Sequence, residues 1–278
     1  MRLVFGALGA HYVRIRPYED FGGVEAGTTC ERLVLGAQPA GLLRVNLVAY
    51  HLALPDVEGK VVVDAGTNEG AGAALLATRA ARVSAFDIAP GAIAAASARY
   101  ARTNLDFRVH DATKPFPLPD GSADVVISSE VIEHLRDGAA FVRHAARVLR
   151  PDGILFVKTP NDDFNRLENR LNPHHVNCYT AKRLRAEVQA EFEEVRLEGL
   201  TYDVAMERTL EERPDPRPPE EMGYSFGDPI VIDRALAIRM RITPRRVPLG
   251  GPEPPEYLWL RAARPRAAGR QEGSPPRR

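Results

Sequence analysis

The sequence predicts an α/β fold in which a doubly wound, mainly parallel sheet carries helices on both faces. Apolar segments of strand length alternate with segments of helical periodicity from residue 60 to residue 159, a pattern typical of parallel sheets. A glycine-rich turn joins the first of these strands to its helix, and the next strand ends in an acid, Asp87. Both features are typical of domains that bind a nucleotide-type ligand.

The first elements follow from local patterns. Residues 1–39 contain several glycines and no long periodic segment, so we expect an irregular cap there. A broad apolar surface over residues 40–54 predicts a helix that stops at Pro55, which completes an N-terminal region of 1–55. The predicted core elements are strand 60–65, helix 70–80, strand 82–87, helix 90–101, strand 105–109, strand 123–129, helix 137–149 and strand 153–159.

The C-terminal part extends this core. Residues 211–221 are rich in proline and charge, so we expect an extended, exposed loop rather than packed structure. The apolar run Tyr257–Leu260 predicts a last strand. The remaining predicted segments are helix 180–190, strand 192–199, an insertion at about 205–255 and a disordered tail at 264–278, so that the main domain spans 56–263.

Composition limits the classes of function. The 278 residues include 37 basic and 37 acidic side chains, and this balance gives no electrostatic reason to expect a nucleic acid partner. Cys30 and Cys178 are the two cysteines, which argues against a disulfide framework or a zinc site and fits a reducing compartment. No segment has the roughly 20 apolar residues that span a bilayer, so we expect a cytoplasmic protein with no membrane partner.

The glycine-rich turn has the residue types that a nucleotide-type ligand requires. Gly66, Gly70 and Gly72 allow a sharp turn and a close approach of the backbone, and the helix that follows presents unpaired N–H groups. Asp87 follows at the distance where a carboxylate can accept hydrogen bonds from ribose hydroxyls. Asn68 stands where a dinucleotide fingerprint has its second glycine, and asparagine tolerates a left-handed backbone better than most residues.

These residues resemble the first motif of class I S-adenosylmethionine-dependent methyltransferases, D-x-G-x-G-x-G. Asp64, Gly66 and Gly70 match, and Asn68 departs from the motif. The resemblance is to the type 11, ubiquinone-type branch and covers about residues 58–200. It implies a Rossmann-like sheet of seven mostly parallel strands with an antiparallel last strand. The further matching segments are residues 110–112, 116–126, 130–135, 147–153 and 159–161.

The resemblance implies S-adenosylmethionine as the cofactor and gives several residues a role. Asp64 would help to hold the methionine end, although a strand-end acid can also simply cap the next helix. Asp87 would bind the ribose, and Ile88 would pack on the adenine face. Asp111 and the N–H of Ala112 would contact the adenine amino edge, although Asp111 can also be an ordinary turn residue. Ser129, at the end of a strand, matches a position that lines the cofactor.

Two histidines are candidates for the catalytic base. Glu133 and His134 are predicted to open the helix after strand 123–129, at the sheet edge where ligands bind. The segment 172–180 resembles the N-P-x-H-V segment of a methyltransferase subset associated with sugars, and it places His175 at the matching histidine. Residues 31–36 resemble a second segment of that subset. Structural roles remain open for both histidines, and no metal is expected.

The resulting hypothesis is an enzyme that moves a methyl group from S-adenosylmethionine to a hydroxyl, or an amine, of a small-molecule or sugar-type acceptor. Two alternatives remain open. An NAD(P)-dependent oxidoreductase would share the first strand, the turn and Asp87, but it would need the G-x-G-x-x-G frame. A binding protein that keeps the fold without catalysis is favoured only by Asn68.

Overall fold

The computed structural model describes residues 40–164, 172, 174–208, 230–233, 238–252 and 254–266. The N-terminal cap, the segment 31–36, the proline-rich stretch 211–221 and the end of the chain beyond Arg266 lie outside these described residues. No helix of the described part is long and apolar enough to cross a membrane.

Helices and strands alternate through the centre of the chain as predicted. The helices are α1 (Ala40–Ala53), α2 (Ala71–Leu76), α3 (Pro90–Arg99), α4 (Gly138–Val148) and α5 (Ala181–Gln189). The strands are β1 (Val61–Ala65), β2 (Arg82–Asp87), β3 (Leu105–Val109), β4 (Ala123–Ser129), β5 (Leu149–Pro160), β6 (Phe192–Arg208), β7 (Ile230–Asp233), β8 (Ile238–Val247) and β9 (Tyr257–Pro265). Short 3₁₀ turns cover Leu54–Asp56 and Ile132–His134.

Within the described residues the strands form one sheet in the order β3-β2-β1-β4-β5-β9-β6-β8-β7. Strands β1 to β5 pair in parallel. The last strand, β9, lies between β5 and β6 and is antiparallel to both. The prediction of a mostly parallel sheet with an antiparallel last strand inside it is therefore confirmed.

The sheet is wider than the predicted seven strands. Strand β6 continues to Arg208, beyond the predicted end at residue 199, and β8 pairs antiparallel with it over residues Ile238–Val247. The short strand β7 then pairs with β8. The described parts of the expected insertion therefore add two strands to the sheet edge. Strand β9 runs to Pro265, so the chain is still ordered in the sheet where a tail was predicted to begin.

The apolar residues of the strands alternate between two cores, one on each face of the sheet. Val62 in β1 packs in the core that α1 and α2 cover, whereas Val63 faces the core that α4 and α5 cover. The side chains of Val48, Leu76, Phe141 and Leu184, one from each of these helices, are all fully buried. This arrangement leaves the edge at the carboxyl ends of the parallel strands for the polar residues of the site.

The predicted helix 137–149 agrees with α4, but the prediction that Glu133 and His134 open this helix is wrong. Glu133 and His134 belong to a separate 3₁₀ turn, and α4 begins only at Gly138, after the N-cap Asp137. The Asp137 side chain accepts a hydrogen bond from the N–H of Ala140, which is the usual way to satisfy a free donor in the first turn of a helix. The glutamate and the first histidine are therefore held by a turn of their own.

Candidate active site

The predicted cofactor residues meet at one edge of the sheet. Asp64 lies near the end of β1, Asp87 ends β2 and Ser129 ends β4, while Asp111 follows β3. Because these four strands are parallel neighbours, their carboxyl ends lie side by side. Ligands of open α/β sheets bind at this edge, so the local sequence pattern and the sheet topology select the same place.

The glycine-rich turn has a left-handed backbone at three alternate positions. The φ angles are 87° at Gly66, 53° at Asn68 and 81° at Gly70. Asn68 therefore adopts the conformation that the missing glycine would supply, as its tolerance of this region allows. The N–H groups of Gly66 and Thr67 both donate to the carbonyl of Phe86, at 2.9 and 3.0 Å, which ties the turn to β2.

The glycines of the turn also leave no room for a side chain. A Cβ atom at Gly66 would lie 2.3 Å from a methyl group of Val131, which follows β4. At Gly70 it would lie 2.7 Å from the ring of Phe107 in β3. The turn thus packs directly against the segment after β4 and against β3. Its shape therefore depends on these tertiary contacts as well as on its φ angles.

Asp87 organises the turn through both of its carboxylate oxygens. Oδ2 accepts the N–H of Asn68 at 2.8 Å, and Oδ1 accepts the N–H of Ala89 at 3.0 Å. Each oxygen keeps a second lone pair that can accept a hydroxyl hydrogen. Beside it, Ile88 is 48% exposed and Val109, the register partner of Asp87 in β3, is 53% exposed. An aspartate with two accessible apolar neighbours is suited to a ribose that carries a flat base.

The remaining predicted cofactor residues, Asp111, Ala112 and Ser129, differ in their hydrogen bonds and burial. Asp111 Oδ1 accepts the N–H of Thr113 at 2.8 Å, so the aspartate does stabilise its own turn. Partial burial opposes ionisation, but the hydrogen bonds from Thr113 outweigh it and hold the pKa of Asp111 below its usual range. The side chain of Ala112 is buried in the core. The buried Ser129 hydroxyl has no hydrogen-bond partner among the described residues, so it can bind a ligand.

Asp64 is fully buried and is reached by a residue that the sequence patterns did not identify. The hydroxyl of Tyr50, from α1, donates to Asp64 Oδ1 at 3.1 Å. Oδ2 of the same carboxyl has no hydrogen-bond partner among the described residues. Burial raises the pKa of Asp64 to about 7, although the nearby hydroxyls of Thr67 and Tyr50 partly offset this effect. In the sequence, Tyr50 is one of the residues of the apolar surface over 40–54, and no local pattern links it to Asp64.

The two predicted catalytic histidines come together in a second cluster at the same edge. The rings of His134 and His175 meet edge to face, with centroids 5.1 Å apart. One carboxylate oxygen of Glu133 and one ring nitrogen from each of His134 and His175 all lie within 4.8 Å of one another. We call these three residues the His–Glu cluster. Groups of this kind can hold a proton, or a cation such as a divalent metal ion, between them.

Backbone contacts bring His175 to this position. The Nδ1 atom of His134 lies 3.0 Å from the carbonyl oxygen of His174, and the N–H of Asn177 donates to the carbonyl of Glu133 at 2.9 Å. A carbonyl can only accept, so this contact assigns the proton to Nδ1 of His134 and leaves the lone pair of a neutral ring on Nε2. The segment around His175 is thereby docked on the 3₁₀ turn.

Glu133 is the buried acid of the His–Glu cluster and is only 2% exposed. Its Oε2 accepts the hydroxyl of Thr159 at 2.9 Å, while Oε1 has no hydrogen-bond partner among the described residues. Burial and the charge of Glu130 raise the pKa of Glu133 to about 8, and His175 acts in the opposite direction. A carboxyl of this kind can exchange a proton near neutral pH.

A partly buried ion pair supports the turn that carries Glu133. Lys158, fully buried near the end of β5, lies 2.5 Å from Glu130 Oε1, and its ammonium group is 3.8 Å from the centre of the Tyr257 ring. Glu130 itself has a left-handed backbone, with φ of 57°, and its N–H donates to the carbonyl of Lys158. The ion pair therefore secures a strained residue between the glycine-rich turn and the His–Glu cluster.

Comparison with known proteins identifies the domain. Residues 63–157 match the family described as "Methyltransferase domain". A protein of Mycolicibacterium smegmatis described as a probable S-adenosylmethionine-dependent methyltransferase is 40% identical over 159 residues, which are 56% of this chain and 61% of that protein. A ubiquinone biosynthesis O-methyltransferase of Xanthomonas campestris is 33% identical over 121 residues, 43% of this chain and 49% of that one. The chain thus spans about half to three-fifths of the length of these relatives.

The fold is shared more widely than the sequence. The structure of an S-adenosylmethionine-dependent methyltransferase from Mesorhizobium loti superposes with a TM-score of 0.52 at 18% identity, covering 78% of this chain and 96% of that one. Residues 63–157 are therefore similar to a methyltransferase domain, and the described part of the chain has the fold of S-adenosylmethionine-dependent methyltransferases.

Proposed function

We propose that the chain is an enzyme that transfers the methyl group of S-adenosylmethionine to a hydroxyl group of a small-molecule or sugar-type acceptor. The observation that carries this proposal is the position of the His–Glu cluster at the same sheet edge as the glycine-rich turn of the methyltransferase domain. A cofactor held by that turn would have two imidazoles and a buried carboxyl beside it.

The residues around the glycine-rich turn, which we call the cofactor half of the site, would each contact a different part of S-adenosylmethionine. Asp87 would accept the ribose hydroxyls through the lone pairs that its backbone contacts leave available. The exposed side chains of Ile88 and Val109 would cover a face of the adenine. Asp64 would receive the ammonium group of the methionine end, which supplies the donor that its buried Oδ2 lacks.

Bound S-adenosylmethionine supplies a methyl group activated by a sulfonium, which the acceptor oxygen attacks in line as the carbon–sulfur bond breaks. The task of the protein is to align that oxygen and to take its proton. The lone pair on Nε2 of His134 and the imidazole of His175 are both candidates for this base. Glu133 would stabilise the resulting imidazolium in its ionised form, because its carboxyl lies within the same cluster and can lose its proton near neutral pH.

A hydroxyl acceptor is favoured over an amine by the presence of the base. A hydroxyl gains nucleophilicity when a base removes its proton, whereas a neutral amine carries the lone pair that it needs for attack. The name of the Xanthomonas relative includes O-methylation, which agrees with this choice. The sugar-type acceptor is suggested by the N-P-x-H-V segment that places His175.

Calorimetric titration with S-adenosylmethionine is the first test, with NADH as the competing ligand. We expect binding of the former in the micromolar range, at least about tenfold weaker in Asp87→Ala because the ribose and the turn both lose their acceptor. Acceptor panels with a labelled methyl donor should then yield S-adenosylhomocysteine only with hydroxyl-bearing compounds. Binding of NADH alone would support the oxidoreductase, and cofactor binding without turnover of any acceptor would support the binding protein.

A further inference from the structure

We propose that Tyr50 is a positioning residue for the cofactor, which holds Asp64 so that the second carboxylate oxygen can receive the ammonium group of the methionine end. This inference rests on the proposed function and deepens it. It extends the cofactor site from the motif-bearing strands to helix α1, which precedes the region that matches the methyltransferase family.

The contact itself is specific. Tyr50 is buried, and its hydroxyl donates to Oδ1 of Asp64 at 3.1 Å. The other oxygen, Oδ2, is equally buried and has no hydrogen-bond partner among the described residues, although the nearby hydroxyl of Thr67 also lowers the pKa of the carboxyl. Buried polar atoms in folded proteins are normally paired, so an unpaired carboxylate oxygen at a ligand-binding edge indicates that the ligand supplies the donor. Tyr50 therefore orients the carboxyl by occupying one oxygen and leaving the other.

Gly72 provides a second, independent observation. A Cβ atom at this position would lie 2.2 Å from Cζ of the Tyr50 ring, the carbon that bears the hydroxyl. Gly72 lies in α2 with an ordinary helical backbone, so no unusual φ angle requires glycine there. The requirement is space for the tyrosine ring. The absence of a side chain at Gly72 thus allows Tyr50 to reach Asp64 from the neighbouring helix.

The electrostatics give this contact a function. An ionised carboxyl without a countercharge is costly in a buried site, and burial is the main reason that the pKa of Asp64 is raised. A hydrogen bond from a hydroxyl favours the ionised form. The ammonium group of the ligand requires that ionised form. Loss of the Tyr50 hydroxyl should therefore weaken only those ligands that carry the amino-acid end.

The test compares two ligands and two tyrosine variants. S-adenosylhomocysteine carries the amino-acid end, and 5′-methylthioadenosine lacks it. Tyr50→Phe removes the hydroxyl that reaches Asp64. The matched control, Tyr202→Phe, removes a hydroxyl that donates to the carbonyl of Val45 at 3.4 Å, also in α1 but without contact to Asp64. Thermal unfolding of each variant reports any loss of folding.

We expect Tyr50→Phe to weaken S-adenosylhomocysteine about tenfold or more at neutral pH and to leave 5′-methylthioadenosine within twofold. Tyr202→Phe should leave both affinities within twofold. The loss in Tyr50→Phe should shrink as the pH is raised, because the carboxyl then ionises without help from the hydroxyl. A purely structural role for Tyr50 would not produce this dependence on ligand and pH.

Asp64→Asn completes the design. If Tyr50 acts through Asp64, the double variant that combines Tyr50→Phe with Asp64→Asn should bind S-adenosylhomocysteine no worse than Asp64→Asn alone. Equal weakening of both ligands in Tyr50→Phe, an unchanged affinity for S-adenosylhomocysteine, or full additivity in the double variant would each overturn the inference. If the unmodified protein binds neither ligand, the proposed function fails first, and this outcome is distinct from the others.

Discussion

The proposed cofactor half and the proposed acceptor half of the site are built in different ways. The cofactor half consists mainly of one contiguous segment, residues 61–89, whose turn is shaped by left-handed backbone angles and by N–H groups that donate to Asp87. The acceptor half combines the 3₁₀ turn Ile132–His134 with His175. His175 lies about 40 residues further along the chain, and backbone contacts hold its segment against the turn. The first half is therefore sensitive to single backbone positions, and the second to side-chain chemistry.

The largest expected effect is in the cofactor half. Gly66→Ala would place a methyl group 2.3 Å from Val131 at a φ of 87°. Steric overlap and backbone strain together should lower the free energy of unfolding by roughly 2–5 kcal/mol. Binding of S-adenosylmethionine should be lost in the same variant. Urea unfolding and calorimetric titration measure the two effects.

Gly59→Ala is the matched control for that change. Gly59 also has a left-handed backbone, with φ of 67°, but a Cβ atom there would have nothing within 4 Å. We expect it to lower the free energy of unfolding by only about 1–2 kcal/mol and to leave the affinity for the cofactor unchanged. If both variants behaved alike, the contact with Val131 would not matter, and the turn would be governed by φ alone.

The next largest effect should lie in the acceptor half and should spare cofactor binding. His175→Ala or His134→Ala removes a candidate base, so we expect the turnover rate to fall roughly 100- to 10,000-fold for the one that takes the proton. The dissociation constant for S-adenosylmethionine should stay within about threefold. Steady-state kinetics with the identified acceptor, together with calorimetry on the same samples, separate the two quantities.

His174→Ala controls for damage to the segment. The contact from this residue to His134 runs through the backbone carbonyl, which alanine retains. Its turnover rate should therefore remain close to that of the unmodified protein. A loss in His174→Ala as large as that in His175→Ala would indicate that the position of the loop, and not the imidazole of His175, controls the rate.

The pH dependence of stability should sharpen the contrast. The pKa of Glu133 is raised from 4.5 to about 8, so the folded protein binds more protons than the unfolded chain between these values. The contribution of this carboxyl to the free energy of unfolding is therefore complete below about pH 4 and is lost as the pH rises through about 8. We expect stability to decline between about pH 5 and pH 8, by at most about 1.4 kcal/mol per unit for this group.

Glu133→Gln tests that assignment, because an amide oxygen can still accept the Thr159 hydroxyl but cannot titrate. Urea unfolding at several pH values should show a shallower decline in this variant. Asp64, with its own pKa of about 7, should preserve part of the slope. An identical slope in Glu133→Gln and in the unmodified protein would show that Glu133 is already ionised in the folded state.

The smallest effect is expected from removal of divalent metal ions. The sequence predicts an enzyme that needs no metal, and we expect treatment with a chelator to leave the turnover rate within about twofold because imidazole alone can accept the hydroxyl proton. The rate before and after chelation, and after addition of magnesium or zinc, is the measurement. A rate that chelation abolishes and one of these ions restores would show that the His–Glu cluster holds a cation.

Most of the cofactor half could be predicted because its chemistry is local. The alternation of strands and helices, the left-handed conformation available to Asn68 and the acid at the end of β2 are all visible in a short stretch of sequence. The structure places Asp64, Asp87 and Asp111 at one edge because the strands before them are parallel neighbours. Their individual ligand contacts stay predictions.

Other features escaped prediction for physical reasons. Tyr50 looks like one more apolar residue of its helix, and its contact with Asp64 depends on how two helices pack. Lys158 directly follows the apolar run Ile154–Val157 of its strand, and only the arrangement of Glu130 and Tyr257 around it explains a buried charge. Strands β7 and β8 were missed because the pairing of a sheet edge is a non-local property.

The sequence by itself determined the class of fold, the left-handed turn and the order of the acids along the strands, because these depend on backbone preference and on hydrophobic periodicity over a few residues. Only the tertiary structure decided which atoms remain unpaired in the buried site and which groups meet in the His–Glu cluster. Burial and proximity depend on contacts between segments that are far apart in the chain. Together they set the protonation and orientation of the groups that would perform the chemistry.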